Sequence, residues 1–107
     1  MREISVEELA QELAAGQPVI LLDVRQPAEH ATAALPGSVL VPLNELARRA
    51  GELDVPAGAS VVVYCHHGIR SRSAALLLER LGFHDVASLA GGIDAWSLRI
   101  DPRVPRY

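Results

Sequence analysis

Apolar positions along the chain alternate between two spacings, one typical of buried strands and one typical of helices. The runs at 19–23 and 60–65 are short, continuous and rich in apolar residues, and we expect them to form strands covered on both faces. Shorter runs at 38–42 and 86–89 predict two further strands.

Between these runs, apolar side chains recur at helical spacing. Ser5 followed by Glu8 has the reciprocal capping pattern of a helix start, and Gly16 can end that helix. Further helices are predicted at 43–50, from near Ser71 to 81, and at 92–98, whereas the ending IDPRVPRY is too rich in proline to continue the last one. Strands that alternate with helices predict an α/β fold with a largely parallel sheet.

Composition and charge limit the kinds of function and partner that this chain could have. A chain of 107 residues with one cysteine predicts a single domain, residues 1–107, without an internal disulfide. The lone thiol suits a reducing compartment, and no apolar leader follows Met1, so we expect a cytoplasmic protein. Net charge is −3, the ten basic residues are scattered arginines, and no apolar run could span a bilayer. Neither nucleic acid nor a membrane is an expected partner.

The single cysteine lies where a ligand would bind. Cys65 ends the strand predicted at 60–65, and the loop 66–70 leads into the helix predicted from Ser71. Ligands bind at the carboxyl ends of parallel strands, where backbone N–H groups and a helix dipole can hold an anion. A thiol placed there ionises more readily than a free thiol. Cys65 is therefore a candidate nucleophile, although a strand-end cysteine can also be only a small buried apolar residue.

A metal centre is the second chemistry that this loop suggests. Cys65, His66 and His67 are all potential ligands, but three adjacent residues do not converge easily on one tetrahedral ion. His30 and His84 are isolated in the sequence. We therefore expect neither a metal nor an organic cofactor.

Four segments resemble the rhodanese-like sulfurtransferase family: LLDVRQPAEH, LPGSVLVPLNEL, YCHHGIRSRSAALLLERLGF and VASLAGGIDAW. The resemblance covers nearly the whole chain. It implies a three-layer α/β fold with a central, mainly parallel, five-stranded sheet flanked by helices. It also implies an enzyme, a thiosulfate or persulfide sulfurtransferase, in which Cys65 accepts a sulfane sulfur as a persulfide. The sulfur would pass to a thiophilic acceptor such as cyanide or a thiol.

The resemblance also implies roles for the loop residues. The backbone amides of the loop would cradle the persulfide, and the residues concerned are His66, His67, Gly68, Ile69, Arg70 and Ser71. Arg70 would orient the sulfonate group of a thiosulfate-like donor or brace the loop. His66 and His67 would either face the pocket mouth and tune the choice of donor, or be exposed loop residues without a role.

Further residues are expected to support the loop. Asp23 and Arg25 match the Asp-x-Arg segment of the family and would form a bracing ion pair, with direct substrate contact by Arg25 as the alternative. Glu29 would bond a neighbouring loop backbone or Arg25. Gly91 and Gly92 would form the turn into the last helix, with Trp96 packed nearby. The family's Gly-His pair is replaced by Ala33-Ala34, which leaves the local loop geometry open.

Two alternative functions use the same cysteine. A phosphatase or arsenate reductase would need five residues between cysteine and arginine, whereas four separate Cys65 from Arg70, and Ser71 stands at the required position. A non-catalytic regulatory or redox-sensing module would use the thiol without turnover. With one cysteine in the chain, its disulfides would be intermolecular.

Partners follow from the resemblance as well. The ending from Gly91 onward is similar to rhodanese domains fused to adenylating enzymes, which implies a sulfur-carrier protein as acceptor. Thiosulfate, the persulfide of a cysteine desulfurase and a low-molecular-weight persulfide are the donors that fit.

Overall fold

Strands alternate with helices in the computed structural model, which describes all 107 residues. The strands are Arg2–Ile4 (β1), Val19–Asp23 (β2), Val39–Leu40 (β3), Ser60–Tyr64 (β4) and Val86–Leu89 (β5). The helices are Val6–Ala14 (α1), Pro27–Thr32 (α2), Leu43–Arg49 (α3), Ile69–Arg80 (α4) and Gly92–Arg99 (α5), and a 3₁₀ turn, Ala50–Glu52, follows α3.

The strands form one sheet in the order β1-β5-β4-β2-β3, and every neighbouring pair is parallel. The predicted α/β fold with a five-stranded parallel sheet is confirmed. β2, β4 and β5 are neighbouring parallel strands, so the loops that follow them meet at the carboxyl end of the sheet. None of the helices combines the length and apolar character that a membrane crossing requires.

Two apolar cores lie on opposite faces of the sheet, because successive side chains of a strand point to opposite sides. Even-numbered residues of β4, Val62 and Tyr64, belong to the core that also includes residues of α1 and α5. Odd-numbered residues continue into Cys65 and belong to the core that includes residues of α3 and α4. The side chain of Cys65 is therefore directed toward the layer that contains α4.

Two elements escaped the sequence analysis. β1 is an edge strand of three residues with two exposed charged side chains, and only Ile4 faces the core. α2 has six residues and buries none of them, so it carries no apolar periodicity. Pro27 at its first position favours the helical backbone, and the Gln26 N–H donates to the Glu29 carboxylate at 3.0 Å.

Two predicted elements have a boundary that differs from the structure by two residues, and the other predicted boundaries agree within one residue. The strand predicted at 38–42 is observed only over Val39–Leu40. The Val41 N–H still donates to the Asp23 carbonyl at 2.9 Å, but Pro42 is the N-cap of α3 and the chain turns into that helix. The helix predicted from Ser71 begins at Ile69. Gly68 takes a left-handed conformation with φ 106° and ends the loop, so that helical backbone starts at the next residue.

The first turn of α5 contacts residues 65–71, which we call the cysteine loop. The N–H groups of Ile93 and Asp94 donate to the carbonyls of Cys65 and His66 at 2.9 and 3.1 Å. A Cβ on Gly92 would collide with both carbonyl oxygens, so only glycine allows the helix to approach this closely. The turn predicted at Gly91–Gly92 thus also holds the loop.

We predict that Gly92→Ala destabilises the protein more than Gly16→Ala. Both glycines have positive φ, +61° and +72°, but no atom lies within 4 Å of a Cβ on Gly16. Gly16→Ala should lower the free energy of unfolding by about 1 kcal/mol from backbone strain alone. Gly92→Ala should cost roughly 1–3 kcal/mol more because of overpacking. Equal losses in urea titrations of the two variants would contradict this docking.

Candidate active site

The sulfur of Cys65 lies in a cradle of backbone N–H groups. Cys65 follows β4 directly and is only 1% exposed. The N–H groups of Gly68 and Ser71 point at Sγ, with N···S distances of 3.1 and 3.3 Å. Both lie at the amino end of α4, where the helix dipole adds partial positive charge. Two amides of the predicted loop therefore converge on the sulfur, and the arrangement stabilises negative charge there.

A buried pair of serine hydroxyls supports this cradle. The Ser71 hydroxyl lies 3.5 Å from the sulfur of Cys65, donates to the Gly68 carbonyl at 3.1 Å, and contacts the hydroxyl of Ser88 at 2.8 Å. Ser71 and Ser88 are fully buried. Sequence reasoning missed Ser88; the available signal was a small polar residue inside the apolar run of β5.

The outer side of the loop is open to solvent. Ile69 is 80% exposed, His67 is exposed and His66 is half-buried. The His66 ring stacks on His67 at a centroid distance of 3.9 Å and on Tyr107 at 4.0 Å. Burial and the neighbouring His67 lower the pKa of His66. The loop thus presents an apolar side chain and two imidazoles around the buried cysteine.

His66, His67 and Asp94 are the residues that could approach a metal ion, since their ligand atoms lie within 4.8 Å of one another. Asp94 comes from α5, and sequence spacing could not bring it to the histidines. Its carboxylate is already paired with Arg106 at 2.9 Å, so an ion would have to compete with a guanidinium. Cys65 is not a member of this group.

A bidentate ion pair flanks the loop. Arg70 donates to both oxygens of Glu29 at 2.7 and 2.9 Å. These bonds from Arg70 lower the pKa of Glu29 to about 2, and the same pair raises the pKa of Arg70. Glu29 also accepts from the Tyr107 phenol at 2.7 Å. Of the two partners expected for Glu29, the backbone is observed, since the Gln26 N–H donates to its carboxylate at 3.0 Å. Arg25 is not a partner: the guanidinium that Glu29 holds is that of Arg70, at the amino end of α4.

Asp23 and Arg25 form a second ion pair, which is fully buried. Arg25 donates to the two carboxylate oxygens of Asp23 at 2.9 and 2.7 Å, to the Ala33 carbonyl at 2.6 Å and to the Tyr107 phenol at 2.7 Å. Burial by itself disfavours both charges. The hydrogen bonds outweigh it, so the pKa of Asp23 is lowered and the pKa of Arg25 is raised.

Residues 33–35, which include the Ala33-Ala34 replacement of the family's Gly-His pair, are held by hydrogen bonds between their backbone and the side chains of Arg25 and Tyr64. The Ala33 carbonyl accepts from Arg25, and the Leu35 N–H donates to the Tyr64 phenol at 3.1 Å. His30, three residues before Ala33, donates from Nδ1 to the Asp23 carboxylate at 2.8 Å. Sequence reasoning left His30 and Tyr64 without a role at this site.

A groove of mixed polarity lies at the opposite end of the sheet, beside the residues that precede β4 and β5. Val55–Ala59 and Leu81–His84 line it. It contains no cysteine or paired charge, whereas the cysteine loop has the nucleophile, the N–H cradle and the flanking ion pairs. The loop is therefore the candidate active site.

We predict that Glu29 makes stability depend on acidic pH. Its folded-state pKa of about 2 is below the ordinary value of 4.5, so its contribution is complete above about pH 5 and is lost as the pH falls toward 2. The difference in unfolding free energy between wild type and Glu29→Gln should narrow over this range. Glu3→Gln, at an exposed position of β1, is the matched control for the loss of one carboxylate. A Glu29→Gln difference that stays constant down to pH 2 would contradict the ion pair.

Comparison with known proteins places this loop in a family. Residues 5–99 match the model of the rhodanese-like domain. A sulfurtransferase of Allochromatium vinosum is 38% identical over 97 residues, which cover 91% of this chain and 89% of that protein. The probable adenylyltransferase/sulfurtransferase MoeZ of Mycobacterium tuberculosis is 33% identical over 104 residues, which are 97% of this chain but 26% of that protein.

A solved structure is similar over almost the whole fold. The human single-domain sulfurtransferase TSTD1 superimposes with a TM-score of 0.80 at 27% identity, covering 92% of this chain and 97% of that one. The family match runs from the start of α1 to the end of α5, so four of the five strands and the cysteine loop fall inside it, and β1 lies before it. The chain belongs to the rhodanese-like domain family.

Proposed function

We propose that the protein is a sulfurtransferase that moves a sulfane sulfur through a persulfide on Cys65. The observation that carries the proposal is the Cys65 sulfur, held by two backbone N–H groups at the amino end of a 12-residue helix. Such a cradle stabilises an anionic sulfur, and the transfer needs no metal or organic cofactor. The similarly sized A. vinosum relative is named a sulfurtransferase, which supports the same activity.

The transfer has two displacement steps at sulfur. The Cys65 thiolate attacks the outer sulfur of a donor such as thiosulfate; an Sγ–S bond forms, the S–S bond of thiosulfate breaks, and sulfite leaves with the electron pair. Cyanide or a thiolate then attacks the outer sulfur of the persulfide. The Sγ–S bond breaks, Cys65 recovers its electron pair, and thiocyanate or a new persulfide leaves. No further oxidant or reductant is consumed.

The loop residues have distinct roles in this scheme. The amides of Gly68 and Ser71 stabilise the charge on sulfur and are already oriented before reaction, so they cost little reorganisation. His66, His67 and Ile69 form the outer side of the loop, where a donor or acceptor arrives, and the imidazoles tune donor choice.

Arg25 and Arg70 have different roles in this scheme: Arg25 braces the loops, and Arg70 faces the donor. Asp23 and Arg25 have no exposed surface and brace the loops. The Arg70 side chain is 37% exposed and faces donors. Glu29 uses two of its five N–H groups and fixes its orientation, so three remain for a sulfonate group.

This chain lacks a group that a phosphatase or arsenate reductase would need. A phosphatase-type loop would need a guanidinium at position 71, but Ser71 is fully buried there and bonded to Ser88. A redox-sensing or regulatory module would use the same thiol without turnover, and the persulfide experiment below separates it from the enzyme.

We also propose a protein acceptor. The name of the M. tuberculosis relative joins an adenylyltransferase to a sulfurtransferase. Adenylation of a carrier protein's carboxylate would prepare that carrier to receive the sulfur. A sulfur-carrier protein is the proposed acceptor, and a cysteine desulfurase is the proposed alternative to thiosulfate as donor.

We predict that intact mass reports the persulfide directly. Wild type should gain one sulfur atom after excess thiosulfate and lose it after cyanide, whereas Cys65→Ser should gain none while unfolding at nearly the wild-type temperature. A serine variant that keeps wild-type transfer rates would exclude the mechanism. No gain with thiosulfate, a desulfurase or glutathione persulfide would identify a binding or redox module instead.

We predict that Arg70→Ala discriminates between donors. If Arg70 orients a sulfonate, kcat/KM for thiosulfate should fall about tenfold more than kcat/KM for the persulfide of an uncharged thiol. Arg72→Ala, at an exposed position on the same helix, is the matched control and should change neither value by more than about twofold. Equal losses on both donors would show that Arg70 braces the loop.

A further inference from the structure

The residues after α5 fold back over the active-site end of the sheet; we call residues 101–107 the closing segment. Val104 is 7% exposed and belongs to the same core cluster as Trp96. Arg106 pairs with Asp94 in the first turn of α5 at 2.9 Å. These two anchors bring Tyr107 to the cysteine loop.

The phenol of Tyr107 joins the two ion pairs of the site. Its oxygen accepts from Nη1 of Arg25 at 2.7 Å, and its O–H donates to Oε2 of Glu29 at 2.7 Å. A phenol can donate one hydrogen bond while accepting another, so both bonds form together. Because Glu29 holds Arg70 with two further bonds, the phenol connects buried Arg25 to the partly exposed Arg70.

The ring of Tyr107 makes a second contact with the loop. It stacks on the His66 ring with centroids 4.0 Å apart and planes 9° from parallel. His66 is the residue directly after Cys65. Stacking between aromatic rings is favourable and holds the imidazole in one orientation.

These contacts converge on the cysteine loop more than on the core. Tyr107 is 41% exposed, so its burial contributes less to folding than that of a fully buried aromatic residue. Glu29 and Arg70 have flexible side chains that lose rotamer freedom when held in one arrangement. The fixed phenol reduces the arrangements open to Glu29, which raises the fraction of molecules with Arg70 in place.

We propose that Tyr107 is a positioning residue for sulfur transfer at Cys65, acting on Arg70 through Glu29 and on His66 through ring stacking. This inference rests on the proposed function. Tyr107 supplies no reacting atom. Its effect is on how an anionic donor is received, and so on KM for thiosulfate more than on kcat.

Tyr107→Phe separates the contribution of the hydroxyl from that of the aromatic ring. The variant keeps the stack on His66 and loses the hydroxyl, so KM for thiosulfate should rise about three- to tenfold while kcat changes less than twofold. Arg103→Ala is the matched control in the closing segment, because Arg103 is exposed and pairs with Asp101. It should retain both constants. Steady-state thiocyanate production and thermal unfolding measure these effects.

A double-mutant cycle tests whether Tyr107 acts through Glu29. In a Glu29→Gln background, Tyr107→Phe should change KM for thiosulfate by less than about twofold, because the link to Arg70 is already weakened. A purely structural role predicts a lower unfolding temperature with unchanged KM. Additive KM effects of the two substitutions would overturn the inference.

The His66 titration measures the stacking contact without any turnover. Burial and His67 lower the pKa of this imidazole, whereas Asp94, Glu29 and a hydrogen bond with the Tyr107 backbone raise it, and that backbone bond is kept in every Tyr107 variant. Tyr107→Leu uncovers the ring, so the midpoint followed by the His66 Cε1–H resonance should rise toward the ordinary value. Tyr107→Phe should leave it in place. An unchanged midpoint in Tyr107→Leu would overturn the inference.

The two proposals fail in different ways. If wild type forms no persulfide with thiosulfate, a desulfurase or glutathione persulfide, the proposed function fails, and the role of Tyr107 fails with it. If wild type forms the persulfide and Tyr107→Phe matches its KM, only the role of Tyr107 is overturned.

Discussion

The buried ion pair between Asp23 and Arg25 is the interaction on which the active-site end of the molecule depends. Removing two charges from water costs several kcal/mol per ion, and mutual attraction repays this only when the remaining donors and acceptors are satisfied. Arg25 uses four of its five N–H groups, one through Nε, one through Nη1 and two through Nη2. The further partners of the pair are His30, Ala33, Tyr64 and Tyr107. The pair therefore ties the end of β2 to α2, to the loop before β3, to β4 and to the closing segment.

This bracing leaves the cysteine surrounded by dipoles and not by free charges. The nearby guanidinium of Arg70 is paired with Glu29, and that of Arg106 is paired with Asp94. The sulfur of Cys65 is contacted by N–H groups at a helix start. Neutral dipoles stabilise a sulfur anion without the stronger attraction of a cation. That balance suits the proposed persulfide, which would form on Cys65 and then give up its outer sulfur.

Local sequence was informative wherever burial is strong. β2, β4 and β5 are largely buried on both faces, so their apolar runs could be recognised without knowing their neighbours. α1 has a capping pair whose two hydrogen bonds, at 3.0 Å each, form within the segment itself. β1 and α2 were missed because an edge strand and a helix without buried residues have no such pattern; their positions depend on neighbouring elements.

The sequence by itself determined the α/β alternation and the position of Cys65 between a buried strand and a helix, because both follow from interactions between residues close in the chain. Resemblance added the roles expected of the cysteine-loop residues and the Asp23–Arg25 pair. Only the tertiary structure decided that Glu29 pairs with Arg70, that Ser88 lies beneath Ser71, and that Tyr107 reaches Arg25. Those contacts join residues 17 to 82 positions apart. No periodicity reports such contacts, since their partners meet only after the parallel sheet brings the ends of β2, β4 and β5 to one edge.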